Sequence, residues 1–251
     1  MKINSINKAI MILNCFEYEE PILSVGKISK MTDFTISTVS RILSTLEAGG
    51  VVEKASGYGQ YQLGYQAYIW GVLSRNNNNL TMLSKPIMKE LCDICGEEVS
   101  LYRVVEEHRV CLERIPSGHA IAMTNSIGKK LPLHTGASGQ VLLAYLPKED
   151  REAVLDKPLE QFTQKTVTNS IELRKKLKQI RKQGYAVSRE EREPGAFSIV
   201  APIWNVGNRV IASLTIAGPL YRLDDIQLDA CIKNILKSAN KISKKIGFKS
   251  K

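Results

Sequence analysis

Residues 32–50, TDFTISTVSRILSTLEAGG, restrict what this chain can fold into more than any other segment. Their apolar residues recur at the spacing of one helical face, which predicts a helix whose buried stripe is formed by Ile36, Val39, Leu43 and Leu46. The opposite face consists of small hydroxyls and one arginine, namely Ser37, Ser40, Arg41 and Ser44. Serine costs roughly half a kcal/mol of helix propensity relative to alanine. Because this face has a serine at several positions, the lost helix propensity adds up, which indicates that the short hydrogen-bonding groups have a use. A merely polar surface helix is the alternative.

The neighbouring segments predict a winged helix-turn-helix. Ser5 can cap a first helix, Ser24 a short second helix and Thr35 the third, with MTDFT as a tight turn between the last two. After the third helix, VVEKA and QYQLG predict two short strands, and SGYG between them suits a hairpin turn. A hairpin directly after a recognition helix is a wing, on which Lys54 and Tyr58 would contact the DNA backbone or minor groove.

This pattern predicts double-stranded DNA, an operator, as a partner. Short hydroxyls let a helix lie close to a phosphodiester strand, and an arginine can bind a guanine edge or a phosphate. The predicted DNA-contacting residues are Thr35, Ser37, Thr38, Ser40, Arg41, Ser44, Lys54 and Tyr58. Bulk charge does not identify this region, because the net charge of +10 lies almost wholly beyond residue 78. We interpret the basic segments there as solvated helix faces.

The chain resembles the IclR-type bacterial transcription regulators in blocks that follow one another along nearly its whole length. The matching blocks are SINKAIMILNCF, ISTVSRILSTLEAGGVVEK, YQLGYQAYIWG, GKKLPLHTGASGQVLLAYLP, IRKQGYAVSREEREPGAFSIVAPIWN and VIASLTIAGP. The resemblance implies an α+β chain with an N-terminal winged helix-turn-helix and a C-terminal GAF-like effector-binding domain, assembled as a homodimer or homotetramer. We place the DNA-binding domain at 1–63, a linker helix and hinge at 64–79, and the effector-binding domain at 80–251.

The linker segment GYQAYIWGVLSR predicts a helix that is unusually rich in aromatic residues for a solvent-exposed connection. Its apolar residues are Tyr65, Tyr68, Ile69, Val72 and Leu73. The resemblance implies that this helix pairs with its dimer mate, and packing inside its own domain is the alternative. The polar RNNNNL that follows predicts a hinge.

The remaining chain predicts a sheet with flanking helices. A hairpin covers EVSLYRVVEEHRVCLERIP, and further strands fall at YAVSREE, SIVAPIWN and VIASLTIAG. Helices are expected near residues 80–95, 138–145, 171–183 and 224–246. The acidic side chains of REERE are expected to be surface charges, at Glu190, Glu191 and Glu193.

The segment HTGASGQVLLAYL predicts a small-molecule site. Small residues that open a helix leave backbone N–H groups exposed, and the helix dipole favours an anion there. A ligand carboxylate could therefore bind at Gly136, Ala137 and Ser138. The resemblance adds positions on later strands, namely Ser188, Ser198, Thr215 and Ala217. Several relatives carry an acid at the position of Ser188 and a cysteine at that of Ser198. The hydroxyls here therefore leave the ligand's identity open. A packed core is the alternative for Ser198 and Thr215.

The sequence offers two enzymatic alternatives to a regulator, a serine hydrolase through Ser138 or a thiol oxidoreductase through Cys92 and Cys95. Ser138 lies in G-x-S-G-x and not in the G-x-S-x-G of a hydrolase elbow. Cys92 and Cys95 form a C-x-x-C late in a predicted helix, where neither a redox pair nor a zinc site is expected. We therefore predict no enzyme activity, cofactor or metal. A structural DNA binder without a ligand is a third possibility.

The cysteines and the hydropathy indicate the compartment. The five cysteines have irregular spacing, which is not a disulfide framework, and no apolar run approaches the roughly 20 residues that span a bilayer. We expect a cytoplasmic, nucleoid-associated protein with no membrane partner. The combined prediction is a repressor of a catabolic operon, controlled by a small organic acid.

Overall fold

The computed structural model describes residues 3–76, 79–120 and 126–249. The chain divides into two compact units, an N-terminal unit of residues 1–78 and a C-terminal unit of residues 79–251. Part of the predicted hinge, residues 77 and 78, lies outside the described residues. Within the described ranges, no helix is both long and apolar enough to cross a membrane.

The N-terminal unit is a winged helix-turn-helix followed by a fourth helix. Its elements are α1 (Asn4–Leu13), β1 (Leu23–Ser24), α2 (Val25–Thr32), α3 (Ile36–Ala48), β2 (Val52–Lys54), β3 (Gln60–Leu63) and α4 (Tyr65–Asn76). The predicted hairpin is confirmed, since β2 and β3 pair antiparallel. Strand β1 was not predicted; it pairs with the other edge of β3 and gives the order β1-β3-β2.

Local capping explains where α2 and α3 begin. The Ser24 hydroxyl accepts a hydrogen bond from the Lys27 N–H at 3.2 Å, and the Thr35 hydroxyl accepts one from Thr38 at 3.3 Å, as predicted. Asp33 ends α2 in the left-handed region at φ 58°, which forms the tight turn. The prediction for Ser5 is wrong, because α1 already begins at Asn4 and no side chain caps it.

A small apolar core holds the three short helices against the wing. Its buried residues are Ile12, Cys15, Leu23, Ile28, Val39, Leu43, Val52 and Tyr61. Of the predicted stripe on α3, Val39 and Leu43 are fully buried and Leu46 is half-buried. Ile36 is 62% exposed, against the prediction, because it begins α3 one turn before the helix enters the core.

Removal of the α3 cap should destabilise the N-terminal unit measurably. We expect Thr35→Ala to lower its free energy of unfolding by about 0.5–2 kcal/mol, because the Thr38 N–H loses its acceptor. Hydrogen exchange of the amides in α3 measures the change. Ser40→Ala, at an exposed position on the same helix, is the matched control and should exchange like the wild type or slightly more slowly, because alanine has the higher helix propensity. Equal exchange in the two variants would contradict the capping role.

The C-terminal unit is a six-stranded antiparallel sheet with helices on both faces, a GAF-like arrangement. The strands are β4 (Glu98–Val105), β5 (His108–Ile115), β6 (Lys130–Pro132), β7 (Ala186–Arg189), β8 (Ala196–Trp204) and β9 (Val210–Pro219). The helices are α5 (Asn79–Cys95), α6 (Gly136–Tyr145), α7 (Lys148–Leu155), α8 (Ser170–Gln183) and α9 (Asp225–Lys245), with a 3-10 turn at Leu220–Arg222. The sheet order is β6-β5-β4-β9-β8-β7. Strand β6 and helix α7 were not predicted.

The sheet buries apolar side chains on both faces, which explains its continuous hydrophobic strands. Helices α5 and α9 cover one face, where Ile199 of β8 is buried. Helices α6 and α8 cover the other, where the next residue, Val200, is buried. Since successive strand residues point to opposite faces, β8 and β9 need apolar or small residues at almost every position. The start of α6 lies on this second face, against β8 and β9.

Candidate DNA-binding surface and effector cavity

The outer face of α3 presents the predicted hydroxyls and arginine to solvent. Ser37, Ser40, Arg41 and Ser44 are exposed, and Thr38 is half-buried. The Thr35 hydroxyl also lies 3.1 Å from that of Ser37 and 2.9 Å from that of Thr38, so it belongs to the cap network. Among the described residues no acidic side chain pairs with Arg41, whose guanidinium is therefore available to a phosphate or base.

The wing carries its two predicted residues in different settings. Tyr58 is fully exposed in the turn of the hairpin. Lys54, at the end of β2, forms a surface ion pair with Glu47 at 3.2 Å. Such exposed pairs contribute about 0–1 kcal/mol, so a phosphate can replace the carboxylate.

One cavity in the C-terminal unit collects six of the seven predicted effector residues. It has a volume of about 60 Å³. The predicted residues that line it are Gly136, Ser138, Ser188, Ser198, Thr215 and Ala217. The strand register explains their proximity, since Ser198 of β8 lies opposite both Ser188 of β7 and Ala217 of β9. The side chain of Ala137 instead packs in the hydrophobic core beneath α6, which leaves only its backbone for a ligand.

The first turn of α6 is open to a ligand. Thr135 occupies the N-cap position but its side chain does not cap the helix, because its hydroxyl donates to the Glu191 carbonyl at 3.1 Å. Gly136 has a φ of 70°, a conformation that a β-carbon would strain. Helix N-terminal N–H groups have no partner within the helix, and their dipoles favour an anion.

Arg109 is a cavity residue that the sequence analysis missed. It is 2% exposed and lies on β5, where Arg109, Cys111 and Glu113 face inward while the intervening apolar residues are half-buried. Its Nη1 donates to the carbonyl of Thr135 at 2.7 Å and also to that of Pro132. Burial lowers the pKa of Arg109 to about 10, so the side chain is still charged at neutral pH. Charged and apolar residues alternate along β5, which indicates a strand with two different faces. That pattern predicts that the charged residues face solvent, whereas the structure buries Arg109 and Glu113.

The prediction that every acidic residue of REERE is a surface charge is wrong for Glu191. Its side chain is buried and accepts a hydrogen bond from the Gln140 amide at 2.6 Å, and it forms an ion pair with Lys176 of α8. The buried Gln140 of α6 supplies the physical reason, because its amide donors need an acceptor in the interior. Glu190 and Glu193 remain partly exposed, and Glu193 pairs with Arg192 at 2.9 Å.

The geometry around Ser138 does not assemble a hydrolase. No histidine is among the residues that line its cavity in the described part of the chain. The nearby His134 uses its Nε2 in a hydrogen bond with the Glu160 carbonyl at 2.9 Å.

The two cysteines of the C-x-x-C have separate partners. Cys92 donates to the Pro116 carbonyl at 3.5 Å, whereas the thiol of Cys95 pairs with that of Cys231 on α9. Burial raises the pKa of Cys92, and the hydrogen bond with Cys231, together with burial, raises the pKa of Cys95. A reactive cysteine needs a lowered pKa, so this pair lacks that property.

Comparison with known protein families gives matches to both units. A family model described as bacterial transcriptional regulator IclR C-terminal matches residues 72–244, and one described as IclR helix-turn-helix domain matches residues 5–56. The HTH-type transcriptional regulator XynR of Escherichia coli K12 is 29% identical over 247 residues, 98% of each chain. The transcriptional repressor IclR of the same strain is 24% identical over 245 residues, 96% of this chain and 89% of the repressor. These relatives are transcription regulators and not enzymes.

Solved structures share the fold over the whole length. A putative IclR transcriptional regulator from Silicibacter sp. TM1040 superposes with a TM-score of 0.91 at 24% identity, covering 99% of this chain and 98% of that one. An IclR homolog complexed with 4-hydroxybenzoate, from Microbacterium hydrocarbonoxydans, gives a TM-score of 0.81 at 24% identity and covers 97% and 99%.

Proposed function

We propose that this chain, which belongs to the IclR family of bacterial DNA-binding transcription regulators, represses a catabolic operon and is controlled by a small organic acid. The observation that carries the proposal is the cavity beside α6, to which the start of that helix and the strands β4, β5, β7, β8 and β9 contribute lining residues. The 4-hydroxybenzoate complex of one structural neighbour supports an organic acid as the ligand class. One relative is named a transcriptional repressor, which supports repression and not activation.

In this proposal α3 reads the major groove. Arg41 contacts a base edge or phosphate, while the hydroxyls of Ser37, Ser40 and Ser44 let the helix approach the backbone closely. The wing adds Lys54 and Tyr58 to the flanking DNA. Such a protein acts on the nucleoid, in the cytoplasm.

The reading unit is proposed to be a homodimer, with a homotetramer as a pair of dimers. The apolar residues of α4 are exposed, which supports a second copy as the cover of this helix. Two copies related by a two-fold axis would present their recognition helices about one DNA turn, roughly 34 Å, apart on a palindromic operator. A ligand can change this spacing only through different affinities for two states of the protein.

Arg41→Ala should weaken operator binding by about 1–3 kcal/mol, roughly 5- to 150-fold, if the guanidinium reads a base. Arg41→Lys keeps the charge but lacks the planar fork, so it should bind scrambled DNA like the wild type while losing preference for the operator. Fluorescence anisotropy measures both affinities. Arg174→Ala, on the surface of α8, is the control and should leave both unchanged. Unchanged operator affinity of Arg41→Ala would exclude a reading role.

The proposed function is tested with the DNA upstream of the protein's own gene. We expect binding that falls with salt but keeps a preference of about 10³-fold or more over scrambled DNA. A carboxylic acid panel should then release the operator and raise the melting temperature of the protein, since a ligand that binds only the native state stabilises it. Specific DNA binding without any stabilising acid would favour a structural DNA binder. Equal binding to both DNAs would contradict the regulator itself.

A further inference from the structure

We propose that Arg109 holds the ligand's carboxylate in the cavity beside α6 and thereby restricts the ligand to compact monocarboxylic acids. This inference rests on the proposed effector function and assigns it a residue and a chemical class. The cavity is lined by this one fully buried cation, by hydroxyls and by the start of a helix.

The buried charge of Arg109 is uncompensated among the described residues. A buried charge is costly unless it is paired, because several kcal/mol of hydration are lost. Only two backbone carbonyls accept hydrogen bonds from this guanidinium, both at Nη1, and its buried Nε has no partner among the described residues. An anion in the cavity would supply the missing charge and acceptor.

The guanidinium of Arg109 packs against the first turn of α6. A β-carbon at Gly139 would lie 2.5 Å from Nη1 of Arg109, and one at Gly136 would lie 3.5 Å from Nη2. Glycine at both positions therefore lets the guanidinium pack directly against the helix start. The positive side chain and the positive end of the helix dipole act on the same space.

The other charged side chains that line the cavity already have partners. Glu191 is bound to Gln140 and Lys176, and Arg192 is paired with Glu193 at 2.9 Å. Arg109 is therefore left with a single positive charge to neutralise. One carboxylate satisfies it, whereas a second carboxylate would meet no further free cation among the described lining residues.

The size of the cavity and its hydroxyls restrict the rest of the ligand. A volume of about 60 Å³ is a few times the 10–15 Å³ minimum that one water needs. We therefore expect a compact acid of roughly two to four carbons. Among the described residues the buried hydroxyl of Thr215 has no hydrogen-bond partner, and Ser188 and Ser198 add two more hydroxyls to the cavity lining. These groups suit a hydroxyl or oxo oxygen on the ligand.

The first test uses wild-type protein alone. Calorimetric titration with propionate and lactate, in low-chloride buffer, is compared with the neutral amides propionamide and lactamide, with the dicarboxylate succinate and with benzoate. We expect the two acids to bind about 10- to 100-fold more tightly than their amides, since a hydrogen bond with a charged group contributes about 1.5–3 kcal/mol. Succinate and benzoate should bind more weakly than lactate. Equal binding of acid and amide, or stronger binding of benzoate, would overturn the proposal.

The second test uses variants. Arg109→Gln should lose the preference for acid over amide, and Arg109→Lys should retain part of it because its charge remains. Arg174→Gln removes an arginine outside the cavity and should bind lactate like the wild type. Loss of acid binding in Arg192→Gln but not in Arg109→Gln would overturn the assignment. If Arg109→Gln does not fold, the affinities of Arg109→Lys and of the wild type for acid and amide test the proposal instead.

Operator binding by the same preparations separates this inference from the proposed function. A wild-type protein that binds acids and releases DNA, with Arg109→Gln doing the same, would refute only the role of Arg109. A protein that binds its operator but none of the acids would refute the ligand class and leave the DNA-binding role intact.

Discussion

Leu43→Ala should lower the free energy of unfolding of the N-terminal unit by about 2–5 kcal/mol. Leu43 is fully buried in the centre of α3, within the same core as Ile12, Ile28 and Val39. Truncation to alanine removes apolar burial and leaves a cavity that the surrounding helices fill only partly. A unit of 78 residues has a small core, so this loss is a large part of its stability.

The measurement should report on the N-terminal unit and not on the whole chain, because the two units need not unfold together. Amide hydrogen exchange of peptides covering α3 does so, and operator binding at 37 °C should fall in parallel. Ser44→Ala, the exposed neighbour, is the control and should change stability by less than about 0.5 kcal/mol. Equal protection in the two variants would mean that α3 is not packed as described.

Local pattern was sufficient for the N-terminal unit because its signals are local. The spacing of Val39 and Leu43, the cap at Thr35 and the turn at Asp33 all act within a few residues of one another. Where the prediction was wrong, tertiary packing decided the outcome. Ile36 has the right spacing for burial, but it precedes the part of α3 that the core covers.

The cavity could not be derived from local pattern. Ser188 and Ser198 meet because β7 and β8 pair in one particular register, and Thr215 joins them from β9. A one-residue slip in either pairing would point them to the opposite face, and only the resemblance to a family suggested them. The same limit explains Arg109 and Glu191, whose charges suggest surface positions although carbonyls and an amide on other elements hold them inside.

Leu73→Glu should dissociate the proposed dimer and weaken operator binding by about 100-fold or more, since burying an unpaired polar group costs several kcal/mol. Leu73 is 55% exposed on α4 and shares this exposure with its apolar neighbours Tyr65, Tyr68, Ile69 and Val72. An interface with two-fold symmetry uses the same patch on both copies, so each substitution appears twice. Two carboxylates would then lose hydration in an interface that offers apolar groups.

Ser74→Glu provides the matched control, because it adds the same charge at an adjacent exposed polar position of α4. Analytical ultracentrifugation gives the dissociation constant, and anisotropy on full and half operators gives the cost to DNA binding. Leu73→Glu should bind the two DNAs equally, whereas Ser74→Glu should prefer the full operator. Ser74→Glu should melt like the wild type, whereas Leu73→Glu should melt at a lower temperature, because the dimer no longer stabilises its native state. A Leu73→Glu protein that stays dimeric would assign the dimer contact to another surface and leave the exposed aromatic residues of α4 to a different partner.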